Sequence, residues 1–498
     1  MTDGLVTDEH PGVPRPVATL FAALFLGVAG QQLFFARAAG ANVLLETVLF
    51  LGLGWWLRPR DRRPDRSDGW LPIAAVTFAA LCAVRADAAL LFFDVVAAAA
   101  LALAWTVALG GTPITRLDVR ALAIEVIDAI AGAIDRPVRV LRAACGPIAQ
   151  VVRARTGRLP RYAGGAALAC PFLVVFSVLF ASADPVYARR LSDLADVVRW
   201  REVLRDAGPR MLLFVVIAWL AAAAFAKLAC PPSTHATAVR PGIVTVETAA
   251  VLLACVDLLF AAFVALQIGY LFGGRDTIDA AGLPYSAYAR RGFFELIASA
   301  SLVGALLFGV GLQRRARSRA TTGLGLALVA LTLVVLVSAW YRLDLYQQAY
   351  GWTELRFYAL AMIVFLALAL LILGGSVIAE RTGHALQPVI GAALVVALGV
   401  NALSPSAFVA HADLQRRIDQ ASLPTDAERR MDPGYLVSLG DGAFPVLVEL
   451  LPSLPTADQD LLRAWLRWTA TGRTHGPDPW ESFNVDRVRA GDALDSVR

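Results

Sequence analysis

Runs of about 18 or more apolar residues, the length that crosses a hydrocarbon layer of about 30 Å, recur along nearly the whole chain. A chain built this way does not fold around a single water-excluded core. Of its 498 residues 58% are hydrophobic and only 17% charged, against about 25% charged in soluble domains, so polar surface is too scarce to cover it. With a mean hydropathy of +0.62, the solvent for most of the chain is lipid. The spacing predicts an all-α, polytopic integral membrane protein with about eleven crossing helices. They fall near 17–35, 41–57, 70–84, 88–109, 164–182, 211–229, 247–272, 293–312, 322–340, 357–376 and 387–404. The third run is short and ends at Arg85 and Asp87, so the third and fourth runs read either as two full spans or as a tight, re-entrant hairpin.

Arginine placement gives the orientation, because basic residues are retained on the cytoplasmic side. Arg58, Arg60, Arg62, Arg63 and Arg66 fill one short loop, and Arg314, Arg315, Arg317 and Arg319 fill another without an acid. Both follow an even number of crossings, which predicts a cytoplasmic leader (1–15), a membrane domain (16–404) and an extracytoplasmic tail (405–498) of a protein in the bacterial inner membrane. Segment 183–210, expected outside, carries six arginines but also five acids, and so weakens the rule without reversing it. Ala36-Arg37-Ala38 resembles a signal-peptidase site. The run before it is too long and its leader too acidic (Asp3, Asp8, Glu9), so it is retained as a helix.

Within the expected cytoplasmic insertion 110–162, Leu122, Val126, Ile127, Ile130 and Ile134 share one helical face, away from Glu125, Asp128 and Asp135. With Arg136, Arg139 and Arg142 following, two forms are open: a helix lying along the inner membrane surface, or a cytoplasmic helical hairpin. From Ser404 onward, ten arginines and fourteen acids accompany apolar residues at helical spacing, which predicts a small soluble unit with helices near 433–453, 457–471 and 479–494. Trp465, Trp468 and Trp480 are expected in its core, the alternative being a face that docks on the membrane domain.

Several chemistries lack their residues. A pI near 9.1 comes almost wholly from arginine in short loops, which is topology information and not a nucleic-acid footprint. Lys227 is the only lysine and lies in an apolar run, so no phosphate-binding Walker loop exists, which argues against an intrinsic ATPase. His10, His235, His384, His411 and His475 are scattered, and Cys82, Cys145, Cys170, Cys230 and Cys255 show no CxxC spacing, so neither metal nor cofactor is expected. No catalytic residue is assigned.

Polar residues remain inside the predicted spans: Glu46, Asp94, Asp257 and Gln267. A charge at mid-bilayer costs about 3 kcal/mol on insertion scales, so such groups face a partner or a wet cavity. They are the candidates for coupling to protons or cations, the plainer reading being hydrogen bonds that fix helix packing.

Four segments cluster at the predicted outer boundary: Ser182–Pro185 with Asp184, Gln267–Gly274, Tyr288–Leu296 with Arg290, Arg291 and Glu295, and Tyr341–Arg356. In the last, Arg342, Tyr346 and Tyr350 recur every four residues, which stacks two phenols and a guanidinium on one helical face. Gly351 then supplies a turn, Thr353 a candidate N-cap, and Glu354 and Arg356 candidate acid–base partners. Isolated Tyr, Trp and Arg residues at a membrane boundary are usually no more than an aromatic belt. Four dense segments beside a tail on the same side suggest a site.

With Ser404–Val409, Tyr435–Leu439, Gly442–Pro445 and Trp480–Asn484, these segments resemble the bacterial membrane family labelled domain of unknown function 4173, with its relative 4153, over roughly residues 160–495. Trp352 and His411 depart from the family pattern, where Leu or Tyr and Arg are usual. The resemblance implies an architecture and no reaction. Three functions stay open. A transporter or flippase for a cell-envelope component requires a wet path joining the buried carboxylates to the outer cluster. A non-catalytic scaffold or signalling protein binds membrane lipids and an envelope partner through its tail. A lipid-linked sugar transferase lacks the acid it needs in the first outer loop, 35–40, unless Asp87 or Asp184 substitutes.

Overall fold

The computed structural model describes residues 15–156, 201–228, 245–272, 293–312, 318–420, 431–472 and 479–497, with scattered positions between 169 and 189. Among these are sixteen α-helices and no strand. The membrane domain comprises α1 (Pro16–Phe34), α2 (Ala41–Leu57), α3 (Trp70–Leu81), α4 (Ala88–Leu109), α5 (Val119–Thr156) and α6 (Arg201–Lys227). It continues with α7 (Val246–Phe272), α8 (Phe293–Gly311), α9 (Arg319–Tyr350), α10 (Glu354–Ile378) and α11 (Leu386–Leu403). Eight helices are long and apolar enough to cross a membrane, and α2, at 17 residues, falls just below that length. The crossing expected near 164–182 lies outside the described residues save for isolated positions.

Helix ends follow the local sequence. Asp87 caps α4 by accepting from the amides of Ala89 and Leu90. Ser318 and Thr321 form a reciprocal capping box at the start of α9. Thr353 caps α10 by accepting from the amide of Arg356, as its position predicts. The membrane helices pack as two groups. One buried cluster joins α1, α2, α3, α4 and α6 through residues such as Ala22, Leu26, Phe78, Leu109 and Phe225. A second joins α7, α8, α9 and α10 through Leu253, Ala300, Leu328, Val335 and Leu370.

At 12 residues α3 is about 18 Å long, too short by itself for a hydrocarbon layer of about 30 Å. It nonetheless links the two faces. Just before it, Asp68 accepts from the amide of Thr115, beyond the end of α4, while it ends at the turn 82–87 on the other side. The flanking turns supply the missing length.

Over its described residues the insertion does not take the hairpin form. Residues Val119–Thr156 form one continuous helix of 38 residues, without the turn a hairpin needs. Trp219 Nε1 of α6 donates to the Ala133 carbonyl at 2.9 Å. Near the end of α6, Lys227 meets Glu125 at 2.8 Å and Asp128 as well, and Asp128 also takes Arg136. The sole lysine of the chain is therefore an ionic anchor, buried with its partner Glu125. Val126, Ile127, Ile130 and Ile134 remain exposed on the opposite face, where apolar side chains suit lipid.

The tail comprises α12 (Pro405–Asp419), α13 (Pro433–Ser438), α14 (Phe444–Leu450), α15 (Thr456–Gly472) and α16 (Val485–Asp495). Its core contains Leu414, Leu436, Phe444, Leu447, Leu462 and Leu466, and continues without a break into Leu90 of α4, Phe357 of α10 and Val400 of α11. The tryptophans are not in it. Trp465 is 38%, Trp468 70% and Trp480 66% exposed, which overturns the core expectation. The reason is periodicity: α15 buries the stripe Leu462, Leu466 and Ala470, and Trp468, two residues past Leu466, falls on the far side.

Docking is by backbone. The amides of Val485 and Asp486 donate to the carbonyls of Ala83 and Val84 at 2.9 and 3.1 Å. Asn484 Nδ2 donates to the carbonyls of Cys82 and Arg85 at 2.9 and 2.7 Å, and Asp486 lies 3.6 Å from the Arg85 guanidinium. Nearby, the Ala41 amide donates to the Phe483 carbonyl and Arg37 pairs with Glu481 at 2.5 Å. Loops 35–40 and 82–87 thus share the tail's face. On the opposite face, Arg62 donates to the Gly110 carbonyl, Gln387 to the Leu117 carbonyl and Arg120 to the Leu312 carbonyl, which gathers the ends leading to both arginine loops. Replacing Asn484, 1% exposed, by alanine strips two buried carbonyls of their donor; we expect a loss of about 2 kcal/mol, read as a lower thermal midpoint of the detergent-solubilised protein. An unchanged midpoint would show that the clamp is dispensable.

Candidate functional site

The site forms where α9 ends and α10 begins beneath α12. Gly351 reverses the chain with φ of 75° and ψ of −170°, a conformation that side chains resist. It also lets α12 close in, since a Cβ on Gly351 would lie 2.7 Å from Asp413 Oδ1 and 2.9 Å from Arg416 Nη1. The Trp352 amide donates to Asp413 Oδ1 at 2.7 Å, and the Trp352 ring meets Phe408 edge to face at 4.8 Å. The Glu354 amide donates to the Tyr435 hydroxyl at 3.1 Å, which joins α13 to the same turn.

These contacts enclose a cleft of about 270 Å³ bordered by Tyr350, Trp352, Asp413, Arg416, Arg417 and Tyr435. Burial pushes the Asp413 carboxyl above the usual carboxylate range, while the Trp352 amide and the Arg416 and Arg356 guanidiniums pull it back. Burial likewise raises the Tyr435 phenol. Arg417 is held by Asp458 at 2.8 Å. Aromatic faces, guanidiniums and a carboxylate around one small space suit a polar ligand group.

Below the cleft a row of polar side chains enters the membrane domain. The carboxyl of Glu354, in the first turn of α10, lies within electrostatic reach of that of Asp87 at the head of α4. The Tyr358 hydroxyl donates to Asp87 Oδ1 at 3.0 Å. Two turns further along α4, fully buried Asp94 accepts from Asn401 Nδ2 of α11 at 2.9 Å. The Arg85 guanidinium closes the top of α11 by donating to the Asn401 carbonyl at 2.8 Å.

The predicted site residues are only partly gathered. Tyr346, Tyr350, Glu354 and Arg356 come together, with the two phenol rings 5.1 Å apart. The Arg356 guanidinium lies over the Tyr346 ring at 4.1 Å, and Arg342 is half-buried on α9 one turn before Tyr346. Arg356 also donates to the carbonyls of Tyr350 and Gly351 and forms no ion pair with Glu354, because residues two apart point to different sides of a helix. Tyr341 is exposed on α9, and Glu295 is exposed in the first turn of α8. Asp184 is exposed and accepts from the Val186 amide. Arg290 and Arg291 lie outside the described residues. Asp413, Tyr358, Arg416 and Asn401 belong to no sequence motif that points to a role. Tyr435 belongs to a motif of the family resemblance that assigns it no role, and Asp87 enters the sequence reading as the end of the third apolar run and as a possible substitute acid.

Nor do the four intramembrane candidates converge. Glu46 faces α1, near Gly30, and Asp94 meets α11. Asp257 and Gln267 lie on α7, which packs on α9, and neither side chain finds a hydrogen-bond partner among the described residues. Of the four, Asp94 alone lies near the polar row beneath the cleft, bonded to Asn401 and within electrostatic reach of Asp87. Among the described residues no group of acids, histidines and cysteines is arranged to hold a metal ion. For the cleft, Gly351→Ala combines backbone strain with the clash against Asp413; a loss of about 1–3 kcal/mol in thermal unfolding is expected, and none if α12 moves away freely.

No curated protein and no solved structure matches the chain. One family description does, over residues 73–450, from α3 to the end of α14, which begins earlier and ends sooner than the resemblance read from the motifs. It carries the 4153 label of the two that the motifs suggested, and the chain is therefore a member of the family described as Domain of unknown function (DUF4153).

Proposed function

We propose that the protein is a transporter or flippase for a cell-envelope component, holding a polar part of it in the cleft and coupling its movement to protonation along the row that ends at Asp94. The observation that carries this reading is the row itself. Glu354, Asp87 and Tyr358 stand directly beneath the cleft, and Asp94 continues the series into α4. Ionisable groups held inside a membrane domain are costly and belong to pathways more often than to packing. The coupling role therefore narrows from four residues to Asp94, with Asp87 and Glu354 as its outer partners. By the positive-inside rule the arginine loops face the cytoplasm and the tail lies outside the inner membrane.

A scaffold or signalling role is favoured by a different observation, the exposure of Trp465, Trp468 and Trp480, which gives the tail an aromatic surface for a partner. One complementation assay separates the two. In a deletion strain scored for sensitivity to envelope-directed antibiotics, Asp94→Asn keeps a partner for Asn401 but removes the titratable group, and we expect it to abolish complementation at normal protein levels. Full complementation by Asp94→Asn, together with failure of Trp468→Ala, would leave the scaffold. Orientation is tested separately. In a chain freed of its five cysteines, an impermeant maleimide added to whole cells is expected to label Ser496→Cys and to spare Asp61→Cys. The reverse pattern would invert the topology.

A further inference from the structure

Helix α5 carries charges that neither the cleft nor the polar row uses. It starts on the arginine-rich face, where Arg120 donates to the Leu312 carbonyl, and runs from there beside α6 in the opposite direction. Two contacts fix its level. Asp128 meets Lys227, the last residue of the span Ala207–Lys227, and the Ala133 carbonyl accepts from Trp219, eight residues and about 12 Å further into that span. Pro137 accounts for the second contact. It has no N–H to give the carbonyl four residues before it, and a carbonyl left open inside a bilayer must find another donor. Arg136, Val140 and Ala144, at four-residue steps, stay buried, and α5 packs on both α6 and α1. The middle of α5 is thus level with the middle of a helix long and apolar enough to cross the membrane.

The rest of its surface is of two kinds. Ile127, Ile130, Ile134 and Leu141 form an exposed apolar stripe. Beside it Asp128, Asp135 and Arg142 follow each other at seven-residue steps, two turns apart, with Arg139 paired to Asp135 at 2.8 Å. Asp135 and Arg142 are exposed. From Asp128 to Arg142 this polar stripe covers about 21 Å, about two-thirds of a hydrocarbon layer of about 30 Å. Charges facing acyl chains at that depth would cost about 3 kcal/mol each, so the stripe needs polar matter beside it within the layer.

We propose that α5 is a path along which phospholipids cross between the two leaflets. The headgroup passes along Asp128, Asp135, Arg139 and Arg142 while the acyl chains stay in the lipid against Ile127, Ile130, Ile134 and Leu141. The guanidiniums attract the phosphate, and the acids among them keep it from being held at one place. A soluble ion needs a path closed to lipid. This stripe opens sideways beside an apolar one, which suits a passenger that is itself polar at one end and apolar at the other. The movement is passive and uses neither the cleft nor Asp94, so it goes beyond the transport reading and is tested apart from it.

The test is reconstitution of the full chain in liposomes of phosphatidylcholine and phosphatidylglycerol with a trace of phosphatidylethanolamine labelled on its headgroup by a fluorophore. Dithionite added outside bleaches each labelled lipid as it reaches the outer leaflet. With no ion gradient imposed, the wild type is expected to bring out the inner-leaflet label at least about tenfold faster than protein-free liposomes do. Asp135→Leu combined with Arg142→Leu, both at exposed positions, makes the stripe apolar and is expected to slow this rate about tenfold. Ala131→Trp, also at an exposed position, keeps every charge but sets bulk beside the stripe, and the same slowing is expected at an unchanged thermal midpoint. A wild type no faster than protein-free liposomes would overturn the path, and so would both variants matching the wild type. Neither result would touch the complementation test of Asp94→Asn.

Discussion

The turn 82–87 and the segment 484–486 hold each other by hydrogen bonds across some four hundred residues of sequence, and the arrangement of the tail's face depends on that clamp. A turn at a membrane boundary has carbonyls that helix geometry leaves unpaired. Here they are paired by the amides of Val485 and Asp486 and by the Asn484 side chain. The bonded turn then fixes Asp87 at the head of α4, where it caps the helix and meets Tyr358. It also places Arg85 over the end of α11. The tail is thereby a continuation of the membrane domain's core, and helix ends that would otherwise face water become the floor of a cleft.

Burial without partners is costly, and the structure distributes that cost unevenly. Asp94 retains one hydrogen bond, from Asn401, and sits within the electrostatic reach of Asp87. Lys227 is matched by two carboxylates, with Arg136 completing a neutral group of four charges. Balanced clusters of this kind hold helices in register while adding little net stability, since the desolvation of each ion offsets most of the attraction. Asp257 and Gln267, whose side chains find no hydrogen-bond partner among the described residues, stand apart on α7 and are not part of the polar row.

Much of the fold is legible in the sequence because lipid imposes a length and a hydropathy on each crossing. Predicted and observed bounds of α2, α4 and α11 agree to within a residue or so. Gly351 and Thr353 were legible for local reasons, a turn and a cap. What the sequence did not disclose depends on neighbours distant in the chain. Asp413 gains its meaning from the Trp352 amide sixty-one residues away, and Lys227 from Asp128 ninety-nine residues away. Neither distance leaves a periodic trace. The tryptophans misled because large aromatic residues suggest a core, whereas the smaller leucine stripe of α15 had already filled it. The length of α3 was ambiguous because turns at both ends complete its path.

The separation of Lys227 from its carboxylates imposes an order on biogenesis. The ribosome delivers α5 before α6, so Glu125 waits for its cation while Asp128 has only Arg136 of its own helix. Only when the one lysine arrives at the end of α6 can those acids be withdrawn from water at small cost. The insertion is thus assembled late although it is made early, and a lesion at Lys227 would act first on that assembly step and only afterwards on the finished protein.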